Sequence, residues 1–447
     1  MLAMNKAAVL VFTIISLSSV IFFSGCSKKE KKVEEQKQET LSLAQTIKQK
    51  KEASSGEPST NGLGISDSKY EEIIKKSLVT TGNNQLVKKV LEKMRAGEDV
   101  VIAAIGGSVT EGAGPATYTQ GYAYQFKDLF IKEYAADKSK VKFIPAGIGG
   151  TPSPMGLIRY QKDVVTPAGK NPDLLIIEFA VNDWLECSNT RAMEYLVRNA
   201  LENKTAVIML YGAATYTNQQ AQISPVADFY NLPQVSISEG LLNSGVNQGK
   251  DSKVYYSDYV HPTSFGHTYM AKCLMNLIEE IDKAQEDVPY VIPAGYKNEN
   301  PFKNFATVYS NTTDKNVSIS AGDFSHKDDA IQGYSHGGKC FPDNWSKVAG
   351  TGAPELVEGR PFTMTLTCKS LIMIYKNANN DSFGKAEVYV DGKLTQTYAG
   401  HEDGGWNNCM IVMIIDEKES AMHTVDIKMA EGNEDKAFTI LAFGYSK

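Results

Sequence analysis

Three segments, far apart in the chain, each follow an apolar run with polar residues of the types used in acyl transfer. Residues 100–112, VVIAAIGGSVTEG, bring Ser108 out of an apolar run through two glycines. Residues 174–184, LLIIEFAVNDW, end in Asn182 and Asp183. Residues 255–267, YYSDYVHPTSFGH, set Asp258 and His261 three positions apart. Ester hydrolysis through a covalent intermediate needs a nucleophile, a base held by an orienting carboxylate, and donors for the oxyanion. Ser108, His261, Asp258 and Asn182 are residues of those types.

Each motif alone has a plainer explanation. Gly-Ser pairs are common turn residues. The GGS sequence lacks both the GxSxG nucleophile elbow and the GK[ST] ending of a phosphate loop. A DxxH turn can simply cap a helix, and Asn-Asp pairs end strands, where Asp183 would shape the turn. A fourth segment, residues 145–153, PAGIGGTPS, reads by itself as a glycine loop. His267 reads as a supporting or helix-surface residue. Pro262 stiffens the His261 turn and can open the following helix at its first turn.

These residues need a frame. Apolar strands are expected at 100–105, 141–144, 174–179, 206–211 and 234–237. Helices are expected at 69–78, 84–94, 122–134, 191–201 and 268–281. Unbroken apolar strands alternating with helices imply a parallel sheet covered on both faces. Sites in such sheets gather at the carboxyl ends of the strands, where the polar segments fall.

The pattern changes after residue 285. Residues 286–301 carry several prolines and read as a linker. Residues 302–447 show shorter runs at 362–367, 370–375, 385–390, 409–415, 423–429 and 438–443. Asp391-Gly392 after AEVYV marks a hairpin turn. This half is expected to be an antiparallel β-sandwich. The expected organisation is therefore an α/β domain over 65–285, a linker over 286–301 and a sandwich over 302–447.

The chain has 447 residues and a net charge of −6. It has no basic field, which argues against a nucleic-acid partner. Lys6, an apolar run over 7–23 and the sequence FSGC read as a secretory signal over 1–26. An uncleaved membrane anchor is the competing reading. Residues 27–64 are rich in Lys, Glu, Gln and Ser and read as a flexible tether. Either reading puts the protein outside the cytoplasmic membrane. Besides Cys26 there are Cys187, Cys273, Cys340, Cys368 and Cys409, with no CxxC spacing to suggest zinc. The last three share one region, so a disulfide among them and buried free thiols are both open readings.

The order of the four segments resembles the SGNH hydrolase superfamily, also called GDSL-like esterases. The resemblance covers residues 99–281 and implies a flavodoxin-like parallel sheet and serine ester hydrolysis without metal or cofactor. It implies Ser108 as nucleophile, His261 as base and Asp258 as its orienting carboxylate. It implies an oxyanion hole from the Ser108 N–H, Gly150 (with Gly149 as the alternative register) and the Asn182 amide. The FSGC sequence resembles a lipobox, which implies lipidation at Cys26. The chain departs from the family pattern at Gly107, where Asp is usual, at Pro145 and at Ala180. Carbohydrate-acting bacterial members share the GGSxTxG variant.

The architecture is similar to bacterial esterases that deacetylate polysaccharides. Trp345, Trp406, Tyr334, His336 and His401 are candidates for a sugar-stacking face, with core positions the ordinary alternative. A lipase or lysophospholipase is the second enzyme reading. A silent surface carbohydrate-binding protein is the reading of another class.

Overall fold

The computed structural model describes residues 67–183, 190–216, 218–244, 252–350 and 359–447. The signal and tether expected over 1–64, Cys26 and Cys187 lie outside the described residues.

The first sheet has six strands: β1 (Leu78–Thr80), β2 (Val100–Gly106), β3 (Val141–Gly147), β4 (Leu174–Glu178), β5 (Ala206–Tyr211) and β6 (Gln234–Ser236). Their order is β1-β6-β5-β4-β2-β3. Strands β2 to β6 pair in parallel, and β1 closes the edge antiparallel to β6. Sequence reading ran a helix through Leu78, because three residues are too few to show an alternation.

Every residue of β2 is buried. Val101, Ala103 and Ile105 enter one core, and Val100, Ile102 and Ala104 the other. A strand covered on both faces is apolar throughout, which is what its sequence shows. Each fully buried Ile or Val contributes roughly 1.5–3 kcal/mol.

The helices that frame the site are, in chain order, α1 (Asp67–Lys76), α2 (Gln85–Ala96), α3 (Ser108–Glu111), α4 (Tyr122–Tyr134), α5 (Ser153–Tyr160), α6 (Thr190–Glu202), α7 (Gln220–Phe229) and α8 (Ser264–Lys283). Side chains of α1, α2, α4 and α8 fill the core on one face of the sheet, and those of α5, α6 and α7 the core on the other. Sequence reading placed neither α5 nor α7. Helix α8 begins earlier than the expected 268, and Pro262 lies just outside it: Thr263 is its cap, and its hydroxyl oxygen accepts the Gly266 N–H at 3.1 Å.

The second half is an antiparallel β domain of β7 (Ala306–Val308), β8 (Val317–Ser320), β9 (Trp345–Lys347), β10 (Phe362–Ala378), β11 (Lys385–Val390), β12 (Lys393–Ala399), β13 (Trp406–Met429) and β14 (Phe438–Ser446). The runs expected as separate strands at 362–367 and 370–375 are one strand, β10, with a register shift between Cys368 and Ser370. Likewise 409–415 and 423–429 are both β13. The first part of β10 pairs with β8 and the second with β14. The hairpin at Asp391-Gly392 forms as expected, with both residues at positive φ.

In β10, Leu371, Met373 and Tyr375 enter the core of the β domain, while Ile372 and Ile374 enter the core shared with α5, α6 and β4. One continuous hydrophobic cluster therefore spans both sheets. All described residues belong to a single compact unit, Thr60–Lys447. The segment expected as a linker is tied down. The Glu194 carboxylate accepts the Asn298 N–H at 2.9 Å and its amide at 2.7 Å, and the Tyr290 hydroxyl donates to Tyr230 O at 2.7 Å. Cys340, Cys368 and Cys409 are buried and unbridged, as is Cys273. Among the described residues no helix is long and apolar enough to cross a membrane.

Candidate active site

Strand β2 ends at Gly106 and α3 starts at Ser108, so only Gly107 separates them. Its φ of −85° suits any residue. The requirement is space: a Cβ at position 107 would lie 2.1 Å from Asn182 Oδ1. Asn182 packs where the Asp side chain of the family pattern would begin, which accounts physically for the glycine. The turn delivers Ser108 to the carboxyl end of β2, between β4 and β3.

Ser108 Oγ lies 2.8 Å from His261 Nε2. His261 Nδ1 lies 2.7 Å from Asp258 Oδ2. The other Asp258 oxygen accepts the backbone N–H groups of Val260 at 2.8 Å and His261 at 2.7 Å. The turn that carries this pair also fixes its geometry. Burial by itself would raise the Asp258 pKa, but the hydrogen bonds and charge of His261 outweigh it and hold the carboxyl below the ordinary value. An ionised Asp258 favours the tautomer with the proton on Nδ1, leaving Nε2 to accept the Ser108 proton. The arrangement can therefore raise the nucleophilicity of a hydroxyl.

Asn182 sits on the turn after β4, where the N–H groups of Asn182 and Asp183 both reach Phe179 O. Its Oδ1 is buried against Gly107 with no hydrogen-bond partner. The other end of the amide is the donor Nδ2. Across the strand ends, Gly149 and Gly150 follow β3. The Gly149 N–H donates to Glu111 Oε2 at 2.7 Å and is occupied. The Gly150 N–H has no acceptor among the described residues, and Gly150 holds a φ of +70°, which favours glycine. The Ser108 N–H at the start of α3 likewise has no acceptor among the described residues.

Supporting residues surround this frame. His267 is fully buried, accepting the Tyr122 N–H at Nδ1 (3.0 Å) with Nε2 3.0 Å from Ala113 O. It braces the loop after α3 and faces no solvent, so the helix-surface reading fails. Burial lowers its pKa to about 4. Glu178 and Asp183 are buried behind the strand ends. Burial pushes Glu178 to about 8, against a hydrogen bond from Thr110, and Asp183 to about 7, against the Ser153 N–H bond at 2.6 Å.

Sequence reading missed three participants. Arg159 is fully buried and donates to Gly106 O at 2.8 Å and to Ala146 O, tying the ends of β2 and β3 together. Glu111 and Gln332 hold the Gly149 peptide groups, Gln332 Nε2 donating to Gly149 O at 2.8 Å. No local pattern marks these residues, because their partners are remote in sequence.

The five sugar-face candidates separate. Trp345 is a core residue packed on Phe362 and Phe443. Tyr334 donates its hydroxyl to Asp163 at 2.6 Å. His401 Nδ1 accepts the Asn380 N–H at 3.2 Å. His336 is exposed beside Tyr334. Trp406, 55% exposed, covers the Gly149–Gly150 turn, where Cβ atoms built on the two glycines would lie 3.7 and 3.8 Å from its ring. Tyr259, also 55% exposed, stands on the Asp258–His261 turn.

Residues 104–269 match the family described as GDSL-like Lipase/Acylhydrolase. The fold is similar to two crystal structures of a two-domain esterase (CEX) active on acetylated mannans, one of them co-crystallised with mannopentaose. They are both 24% identical to this chain, with TM-scores of 0.68 and 0.67. Each alignment covers 84% of this chain and 98% of the other, so it takes in both domains. No curated protein matches the chain.

Proposed function

We propose that this chain, whose residues 104–269 belong to the GDSL-like lipase/acylhydrolase family and which is a carboxylic ester hydrolase, removes acetyl groups from a polysaccharide or oligosaccharide by serine catalysis. The observation that carries the mechanism is the unbroken chain from Ser108 Oγ through His261 to Asp258. His261 Nε2 takes the Ser108 proton as Oγ attacks the acetyl carbonyl. The Gly150 and Ser108 N–H groups and the Asn182 amide receive the developing oxyanion. Collapse of the tetrahedral intermediate expels the sugar alkoxide, which takes the proton back from His261. A water activated by His261 then attacks the acetyl-enzyme, releases acetate and restores Ser108.

Three features support the carbohydrate ester. The fold resembles an esterase active on acetylated mannans over both domains. The exposed Trp406 ring, at the start of β13, lies against the Gly149–Gly150 turn, the exposed Tyr259 ring stands on the Asp258–His261 turn, and sugars stack on such rings. The site is open to solvent through an exposed Gly150. The protein acts outside the cytoplasmic membrane, held by lipid on Cys26. A Cys26→Ala chain is expected to leave the membrane fraction; retention there would point to the uncleaved anchor.

The test offers the full-length chain p-nitrophenyl acetate, p-nitrophenyl octanoate and acetylated mannan. Serine-dependent release of acetate from the first and third supports this reading. Preference for octanoate would move it to lipid esters.

A further inference from the structure

The Gly150 N–H and the Gly149 carbonyl belong to one planar peptide unit, so fixing the direction of the carbonyl fixes the direction of the N–H. That carbonyl is held by a residue of the other domain. Gln332 Nε2 donates to Gly149 O at 2.8 Å. Gln332 is itself fully engaged: its Oε1 accepts the Cys409 N–H at 3.1 Å, its N–H donates to Asn407 O at 3.0 Å, and its carbonyl accepts the Cys340 N–H at 3.0 Å. It is 6% exposed, so the side chain has no alternative in water.

The preceding peptide is held from the other side. Glu111, three residues after Ser108 on α3, accepts the Gly149 N–H at 2.7 Å through Oε2. Its Oε1 accepts the Ser335 N–H at 3.0 Å and hydroxyl at 2.6 Å. Ser335 lies on the same β-domain loop as Gln332. A third contact from this loop, Tyr334 to Asp163, reaches the carboxylate that lies 3.3 Å from Arg159, the residue bound to Gly106 O.

We propose that Gln332 is a positioning residue that aims the Gly150 N–H at the oxyanion, with Ser335 and Glu111 as its counter-clamp. The β domain is thereby part of the catalytic frame, besides any role in binding glycan. This rests on the reading of Gly150 as an oxyanion donor. Gln332 also donates to the carbonyl of the very amide that serves as donor. Such hydrogen-bonded chains polarise one another, which strengthens the Gly150 N–H toward a developing negative charge. The clamp acts on the transition state, so its loss is expected in kcat rather than KM.

The test uses the full-length chain and p-nitrophenyl acetate, an ester with no sugar to bind. Gln332→Ala is expected to lower kcat about ten- to a hundredfold, below the loss for deleting an oxyanion donor outright. KM should stay within about twofold, and the pH–rate profile should not move. Gln332→Glu keeps an acceptor for the Cys409 N–H but its carboxylate cannot donate to Gly149 O, so it should lose as much as Gln332→Ala. Glu111→Gln, which turns an amide toward the Ser335 donors, supplies an independent arm should the Gln332 variants fold poorly. Affinity for a trifluoromethyl ketone, whose adduct with Ser108 carries the oxyanion, should fall with kcat.

A kcat within about twofold of the parent, a rise confined to KM, or a shifted pH–rate profile would overturn the proposal. An unchanged rate in Ser108→Ala would overturn the esterase reading and this proposal together. Loss in Ser108→Ala with a parental rate in Gln332→Ala would overturn the clamp alone.

Discussion

The two halves of the proposed site, the base side and the oxyanion side, are built in opposite ways. Asp258 and His261 share one turn, and both Asp258 oxygens are satisfied within three residues of it. On the oxyanion side, the Gly149–Gly150 turn is held by Glu111, 38 positions away, and by Gln332, 183 positions away. A local turn sets its own geometry whatever the rest of the molecule does. A glycine loop has no such constraint and takes its shape from the elements packed against it. The functional cost of errors differs accordingly: the base side fails by losing a residue, the oxyanion side by losing its frame.

Substitutions should separate the two sides. The largest loss is expected for Ser108→Ala, at least about 10⁴-fold in kcat on p-nitrophenyl acetate, since triad members act as a unit. Asp258→Asn should lose about 10³- to 10⁴-fold by favouring the wrong His261 tautomer, and should change the pH–rate profile as well. Asn182→Ala should lose about 10²- to 10³-fold with the profile unmoved. A shifted profile in Asn182→Ala would show that the two sides are coupled. Trp406→Ala is expected to raise KM for acetylated mannan about five- to tenfold, and to raise it less for p-nitrophenyl acetate, if the ring stacks on sugar.

The smallest effect concerns stability. Glu178 titrates near 8 in the folded chain, against 4.5 ordinarily. The folded state therefore keeps a proton that the unfolded state has lost. The resulting stability is full below pH 4.5 and disappears as pH rises through 8. His267, lowered to about 4, acts in the opposite sense and only below its ordinary 6.5. Between pH 6.5 and 8 the Glu178 contribution falls by at most about 2 kcal/mol, a few degrees in Tm. Asp183, raised to about 7, acts in the same sense over the lower part of this window, so Glu178→Gln, which keeps an acceptor for Thr110, should reduce the slope of that part of the Tm–pH curve without abolishing it. An equal slope in both proteins would place the Glu178 proton elsewhere.

The same contrast explains what could be read from the sequence. The apolar strands β2, β4 and β5 were legible because burial on both faces leaves no polar positions. Ser108, Asp258 and His261 were legible because each sits in a short segment with a local reason to exist. Gly107 looked like a departure from the family pattern until the fold put Asn182 against it. The clamp was not legible: Glu111, Gln332 and Ser335 are ordinary surface residue types, and only the packing of the β domain brings them together. The strands of that domain were found in pieces, because a register shift interrupts the alternation of β10 while the chain continues as one strand.

The most direct measurement is intact-mass and peptide analysis of the full-length chain after reaction with a fluorophosphonate. The account predicts one adduct, on the peptide carrying Ser108, absent from Ser108→Ala and slowed at least about 10³-fold in His261→Ala. Ester hydrolysis that persists in a chain with no adduct, or with the adduct on another residue, would contradict it.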